Sequence, residues 1–360
     1  MSPRSTYTHG GDVGHIARQT GIPVERFLDF SANVNPMGLP RRAAERLARE
    51  ARGPRLLSTY PDPEASELRC LLAERLNVPV ECIIIGAGAS DLIHAAVRAL
   101  APRRCLIPIP AFSEYERASK AYGCATCTVP REVLQVAEPG DLLIMNNPHN
   151  PTGACLSRAE MLDMIAAVRS SGGSVLVDEA FVDYAPESAI TRDASTENGV
   201  IAIRSLTKFF GCPALRVGYA VASPETAQRL GAQLAAWPVT TLAVNTLAEA
   251  LRDGDYPREA LERNTHARAQ LAVALSDLGC EPFPSATNFL FLRLPDGLPA
   301  LQVRERLIRE HHILVRECDS FEGVERGRHL RVAVRTENEN TRLVEALASV
   351  FSGSSCLRVP

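Results

Sequence analysis

SVLVDEAF, residues 174–181, sets an apolar run directly before two acids. A near-continuous apolar run of this length predicts a strand buried on both faces, the pattern of a parallel sheet covered by helices. Six further runs read the same way: ECIIIG (81–86), RRCLIPIP (103–110), ATCTVP (125–130), DLLIMNN (141–147), GVIAIRS (199–205) and RVGYAVA (216–222). Helical stretches such as SDLIHAAVRALA (90–101) and SRAEMLDMIAAVRSS (157–171) lie between several of them. The alternation predicts an α/β fold with a mostly parallel seven-stranded sheet. A long helical region follows over 241–278. The remainder reads as strand (ATNFLFLRL, 286–294), helix (301–311), strand (ILVREC, 313–318), strand (HLRVAVR, 329–335) and helix (339–351), a smaller α+β domain. The expected organisation is an N-terminal arm over 1–40, a large domain over 41–245 and a small C-terminal domain over 246–360.

The bulk numbers suit an ordinary soluble globular protein. Of 360 residues, 46% are apolar and 22% charged, with a net charge of −3 and no basic or acidic block. That argues against nucleic acid or a membrane surface as the main partner. The opening MSPRSTYTHGGD is polar, so no signal peptide is expected, and a cytoplasmic location follows. Ten cysteines are scattered without a framework spacing. The single CxxC, Cys124 with Cys127, lies in a strand-like stretch without a second pair, so reduced thiols are expected and no metal site.

Ligands of open α/β sheets gather at the carboxyl ends of the strands. After ECIIIG comes Gly86-Ala87-Gly88-Ala89-Ser90 and then a helix. Small residues and unpaired helix N–H groups make a phosphate cradle. It completes neither a P-loop nor GxGxxG. After RRCLIPIP comes Phe112, which could stack on a flat ring or simply fill the core. After DLLIMNN comes the turn PHNPTG, where Asn150 can present an amide and His149 reads as turn surface. Asp178 ends an apolar strand. A carboxylate there is costly unless paired, and a protonated ring nitrogen would pair it. The other reading is a cap for the next segment.

RSLTKFFG, residues 204–211, then supplies an amine. The chain has only two lysines, Lys120 and Lys208, beside an abundance of arginine. Lysine, unlike arginine, can lose its proton and attack a carbonyl. Lys120 sits among polar helix residues and reads as surface. Lys208 follows a strand, and Arg216 comes shortly after it. A cradle, a ring platform, an amide, an acid and an amine are the parts that pyridoxal 5′-phosphate needs.

NNPHNPTG, DEAF, SLTK and LRVGY, in this order and spacing, resemble the fold-type-I pyridoxal-phosphate enzymes of the class I/II aminotransferase family, over nearly the whole chain. Within it, HGGDVG, FLDFSANVNPMGLP, PAFSEYERA, RSLTKFF and LRVAVR resemble a branch that decarboxylates threonine phosphate in cobalamin biosynthesis. Histidinol-phosphate aminotransferases are the neighbouring branch and the alternative. The resemblance implies Lys208 as the Schiff-base lysine, Asp178 on the pyridine nitrogen, Asn150 on the phenolic oxygen and Phe112 on the ring face. It implies Ala89, Ser90, Ser205 and Arg216 at the cofactor phosphate, joined by Tyr60 from the neighbouring subunit of a homodimer with shared sites. Arg331 would take the substrate carboxylate, and Arg316, His9 and Asn33 the substrate phosphate. The sequence departs from the family pattern at Phe181, where aminotransferases usually carry tyrosine, at Ala89, where an acid is frequent, and at Ala214, where glycine is common. The cofactor site serves decarboxylation and transamination alike, so the residues leave open which bond at Cα breaks. A non-enzymatic binding or regulatory protein on the same fold is a third reading, against which the intact Lys208, Asp178 and Asn150 stand.

Overall fold

The computed structural model describes residues 10–53, 56, 58–130 and 137–355. His9 lies outside them. Contacts cluster into two compact units, one of Met37–Asn150 with Cys155–Glu259, the other of Met1–Pro36, Pro151–Ala154 and Ala260–Pro360.

The first unit is built on seven strands: β1 (Ile83–Gly86), β2 (Arg104–Ile109), β3 (Ala125–Pro130), β4 (Asp141–Asn146), β5 (Ser174–Asp178), β6 (Val200–Ser205) and β7 (Gly218–Ala222). Their order is β1-β7-β6-β5-β4-β2-β3. β7 is antiparallel to both neighbours and every other pairing is parallel. The link from β6 to β7 holds only a one-turn helix, Leu206–Phe209, and a short 3-10 turn. It contains no crossover helix of the kind that parallel strands need. All seven expected strands are present.

The apolar runs are continuous because both faces of the sheet are covered. One face carries Ile84, Ile107, Leu142, Ile144, Leu176, Ile201 and Ile203 against Leu92, Ile93 and Ala96 of the helix Ala89–Leu100. The other carries Leu143, Met145, Val175 and Val177 against Met161, Ile165 and Val168 of the helix Arg158–Ser170. Each such side chain, fully buried, contributes about 1.5–3 kcal/mol. The expected helical region over 241–278 is two helices, Thr241–Leu251 and Tyr256–Asp277. Between them Asp253 turns the chain, its Oδ1 accepting from the N–H groups of Asp255 and Tyr256.

The second unit holds a four-stranded sheet in the order Arg316–Glu317, His329–Ala333, Phe289–Arg293, Glu281–Pro282, with antiparallel pairing throughout. Its core gathers Phe30, Leu271, Leu275, Leu292, Leu330, Leu343 and Leu347. ILVREC, expected as one strand, is two. Ile313–Leu314 pairs in parallel with Leu28–Asp29, and Arg316–Glu317 then joins His329–Ala333. Val315, 2% exposed, is the point where the chain leaves one ladder for the other.

Candidate active site

In the first unit the predicted residues collect where the parallel strands end. Gly88 follows β1 and precedes the helix Ala89–Leu100, whose N-cap makes no side-chain bond. Its φ of 90° and ψ of 170° belong to glycine alone. A Cβ there would lie 2.8 Å from Nη2 of Arg216, so the guanidinium sits against the turn. The open helix start and this cation make an anion seat lined by Ala89 and Ser90. Ser205 adjoins it by register: Gly218 pairs with both Ser205 and Gly86. The Ser205 hydroxyl is buried, with Thr207 Oγ1 at 3.1 Å.

Asp178, at the end of β5, is 6% exposed. Its Oδ2 accepts from the Tyr115 hydroxyl at 2.8 Å and its Oδ1 from Ala180 N–H at 3.0 Å. Burial pushes the carboxyl above its ordinary value, while Tyr115, the Ala180 N–H and the charge of Lys208 pull it down. A buried carboxylate under this tension suits a cationic ring nitrogen. Lys208, in the helix Leu206–Phe209, holds Nζ 4.9 Å from the centre of the Phe181 ring. Phe181 is 4% exposed and offers no hydroxyl.

Two loops complete this half. Phe112 heads the helix Ser113–Ala121 and meets Tyr115 edge-on, centroids 5.7 Å apart. The Asn150 carbonyl accepts from Asn146 Nδ2 at 3.1 Å. His149, expected on the turn surface, is instead 3% exposed, with Nε2 2.8 Å from the Pro110 carbonyl. A carbonyl only accepts, so His149 donates and ties the Asn150 turn to the loop before Phe112. Lys120 is exposed and ion-paired with Glu116 at 2.6 Å, as expected of a surface lysine. Tyr60 stands apart, 77% exposed and stacked on Trp237 at 4.6 Å. Tyr115 is the contributor that sequence reading missed. Its acceptor lies 63 residues away in the chain, so no local pattern points to it.

The second unit holds the other predicted residues. Arg316 and Arg331 face one another across neighbouring strands, 8% and 6% exposed. Burial pushes the Arg331 guanidinium down to about 10, and the neighbouring Arg316 charge pushes the same way. Arg316 is also lowered by burial. Two buried like charges in register form a seat for anions. Arg331 Nη2 donates to the Ser31 carbonyl at 3.1 Å, and its guanidinium lies 5.3 Å from the Phe289 ring centre. Arg316 Nη2 donates to Ser320 Oγ at 2.6 Å. Asn33 is 5% exposed, and its Oδ1 meets no donor among the described residues. Gly10 presses on the same Ser31 carbonyl, where a Cβ would come within 2.0 Å of the oxygen. The first described residues of the arm therefore converge with Arg331 on Ser31. Among the described residues no cluster of His, Cys, Asp or Glu could hold a metal.

The fit to pyridoxal phosphate rests on two features. Arg216 guards a turn that a Cβ would obstruct, and Asp178 is a buried carboxylate with spare acceptor capacity. Ala89, Ser90, Ser205 and Arg216 would hold the phosphate, Asp178 the ring nitrogen, Asn150 the phenolic oxygen, Phe112 the ring face and Lys208 the aldehyde carbon.

Comparison with known proteins agrees. The family model for aminotransferase class I and II matches residues 25–347. The chain is 32% identical to the threonine-phosphate decarboxylase of Salmonella typhimurium, over 96% of this chain and 97% of the relative. It is 29% identical to the adenosylcobalamin biosynthesis bifunctional protein CobDQ of Leptospira interrogans, of which it spans only 41%. It is 30% identical to histidinol-phosphate aminotransferase 2 of Pseudomonas fluorescens, over 97% of this chain and 95% of that one. The crystal structure of L-threonine-O-3-phosphate decarboxylase from Porphyromonas gingivalis superposes with a TM-score of 0.81 at 26% identity, covering 90% of this chain and 99% of that one. With this sheet, this lysine and this match, the chain belongs to aminotransferase class I and II, the pyridoxal-phosphate enzymes of fold type I.

Proposed function

We propose that the protein decarboxylates L-threonine O-3-phosphate to (R)-1-aminopropan-2-ol O-phosphate, a step of cobalamin biosynthesis, in the cytoplasm and as a homodimer with shared sites. The observation that carries this reading is the buried pair Arg316 and Arg331, in register on neighbouring strands. A phosphoamino acid brings two anionic groups, a phosphate and a carboxylate. Histidinol phosphate brings one, and the 2-oxoglutarate it would need brings two carboxylates but no phosphate. Arg331 takes the carboxylate, and Arg316 takes the phosphate with Asn33 and His9. The Salmonella relative points the same way.

Bound pyridoxal phosphate supplies an electron sink next to the substrate's Cα. The chain's own residues do the rest. Asp178 holds a proton at the ring nitrogen and so keeps the sink effective. Asn150 would meet the phenolic oxygen and Phe112 the ring face. Arg331 and Arg316 would hold the substrate's two anionic groups and so orient the Cα–carboxylate bond for cleavage. When this bond breaks, CO2 departs and its electron pair stays on Cα. One proton then replaces the carboxylate, and Lys208 Nζ is the group that delivers it. Tyr60, exposed here, reaches the cofactor phosphate of the partner.

The test is turnover of L-threonine O-3-phosphate by protein loaded with pyridoxal phosphate, without any keto acid. Repeated release of CO2, equimolar with aminopropanol phosphate, is the expected result. No CO2, together with amino transfer from histidinol phosphate to 2-oxoglutarate, would make the protein an aminotransferase instead.

A further inference from the structure

Tyr115 takes no part in the chemistry described above, yet it touches two residues that do. It lies in the first turn of the helix Ser113–Ala121 and is 1% exposed. Its hydroxyl donates to Asp178 Oδ2 at 2.8 Å. Its ring stands edge-on to Phe112, the planes at 87°. A phenol this deeply buried is costly unless its hydroxyl is satisfied, and here the partner is the carboxylate itself.

The geometry limits what Asp178 can do. Ala180 N–H holds Oδ1 at 3.0 Å while Tyr115 holds Oδ2. Two donors on two oxygens fix the plane of the carboxylate. An ionised carboxylate has about four acceptor positions, so capacity remains for a ring N–H. The titratable groups acting on Asp178 are Tyr115 from the helix Ser113–Ala121 and Lys208 from the helix Leu206–Phe209. Lys208 is committed to the aldehyde carbon. Tyr115 is the other side chain on the acid, bonded to it directly.

We propose that Tyr115 is a positioning residue for the cofactor: its hydroxyl aims the Asp178 carboxylate at the ring nitrogen while its ring edge sets the plane of Phe112. This rests on the cofactor reading above. Tyr115→Phe keeps the ring edge and removes only the hydroxyl, so it isolates the first half of the role. The probe is a pair of cofactors: pyridoxal 5′-phosphate and its 1-deaza analogue, in which C–H replaces the ring nitrogen.

Equilibrium binding of both to the full-length apoprotein is measured, wild type against Tyr115→Phe. The expected result is a loss of about tenfold or more for pyridoxal phosphate, the scale of losing the charged Asp178–ring N–H hydrogen bond that Tyr115 would aim, and less than a twofold change for the deaza analogue. Equal losses for both probes would make Tyr115 a packing residue only and overturn the proposal, as would no loss for either. Should Tyr115→Phe alone not fold, the comparison is made in an Asp178→Asn background. There Tyr115→Phe should change pyridoxal phosphate affinity by less than twofold, and a tenfold loss would show that Tyr115 does not act through Asp178. Failure of the wild type to bind either probe would overturn the cofactor reading itself, and this proposal with it.

Discussion

Gly88→Ala tests the phosphate cradle at a single atom. The added methyl would meet Arg216 Nη2 at 2.8 Å, inside any real Cβ contact. It meets the far end of a long side chain, so the guanidinium swings away instead of the backbone breaking. Two costs follow, and they separate. The backbone of residue 88, at φ 90° and ψ 170°, strains any residue with a Cβ by about 1–3 kcal/mol. That lowers the melting temperature of the apoprotein by several degrees. Displacing Arg216 removes a charged hydrogen bond to the phosphate, about 1.5–3 kcal/mol, or roughly tenfold to a hundredfold in affinity. The assay is equilibrium titration with pyridoxal 5′-phosphate and with pyridoxal, which lacks the phosphate. The substitution should weaken only the first, and Arg216→Gln should add little to it. Equal weakening of both ligands would refute the cradle, because the damage would then be to the fold and not to the anion seat.

Three further outcomes follow from the same geometry. Asp178→Asn should raise the melting temperature of the apoprotein at neutral pH. Burial lifts the Asp178 carboxyl in the folded state, so the folded chain binds this proton more readily than the unfolded one. That contribution is full below the ordinary carboxylate range and is lost as pH rises through the lifted value; the gain should therefore shrink on acidification, as melting curves across pH would record. Arg331→Gln should leave the unliganded protein no less stable, since it removes a buried charge held down by burial, yet lower kcat/KM for threonine phosphate by about a hundredfold or more. Tyr60→Ala and Lys208→Ala chains, each inactive alone, should recover activity when mixed and reassembled, because one site of the mixed dimer then has both residues; no recovery would mean that Tyr60 acts within its own chain.

Much of this fold is visible in the chain because burial on both faces writes itself as unbroken apolar runs. IIIG, LLIM and VLV are strands for that reason, and the acid after VLV marks the strand end. The buried arginines Arg316 and Arg331 are visible for the same reason, as charges inside apolar runs. What was hidden depends on pairings remote in sequence. ILVREC reads as one strand, but Ile313–Leu314 and Arg316–Glu317 take different partners. His149 looks like a turn residue until the Pro110 carbonyl arrives from 39 residues away. Tyr115 looks like one more core aromatic until its hydroxyl is seen on Asp178. The mutual facing of Arg316 and Arg331 is likewise a fact of register, which no local pattern carries.

The scarcity of lysine makes the central claim directly measurable. With only Lys120 and Lys208 in the chain, borohydride reduction of the pyridoxal-phosphate-loaded protein, followed by peptide mass mapping, leaves few places for the cofactor to be found. The account predicts one stable adduct per chain, on the peptide containing Lys208. An adduct confined to Lys120, or none at all on protein that turns over substrate, would contradict it.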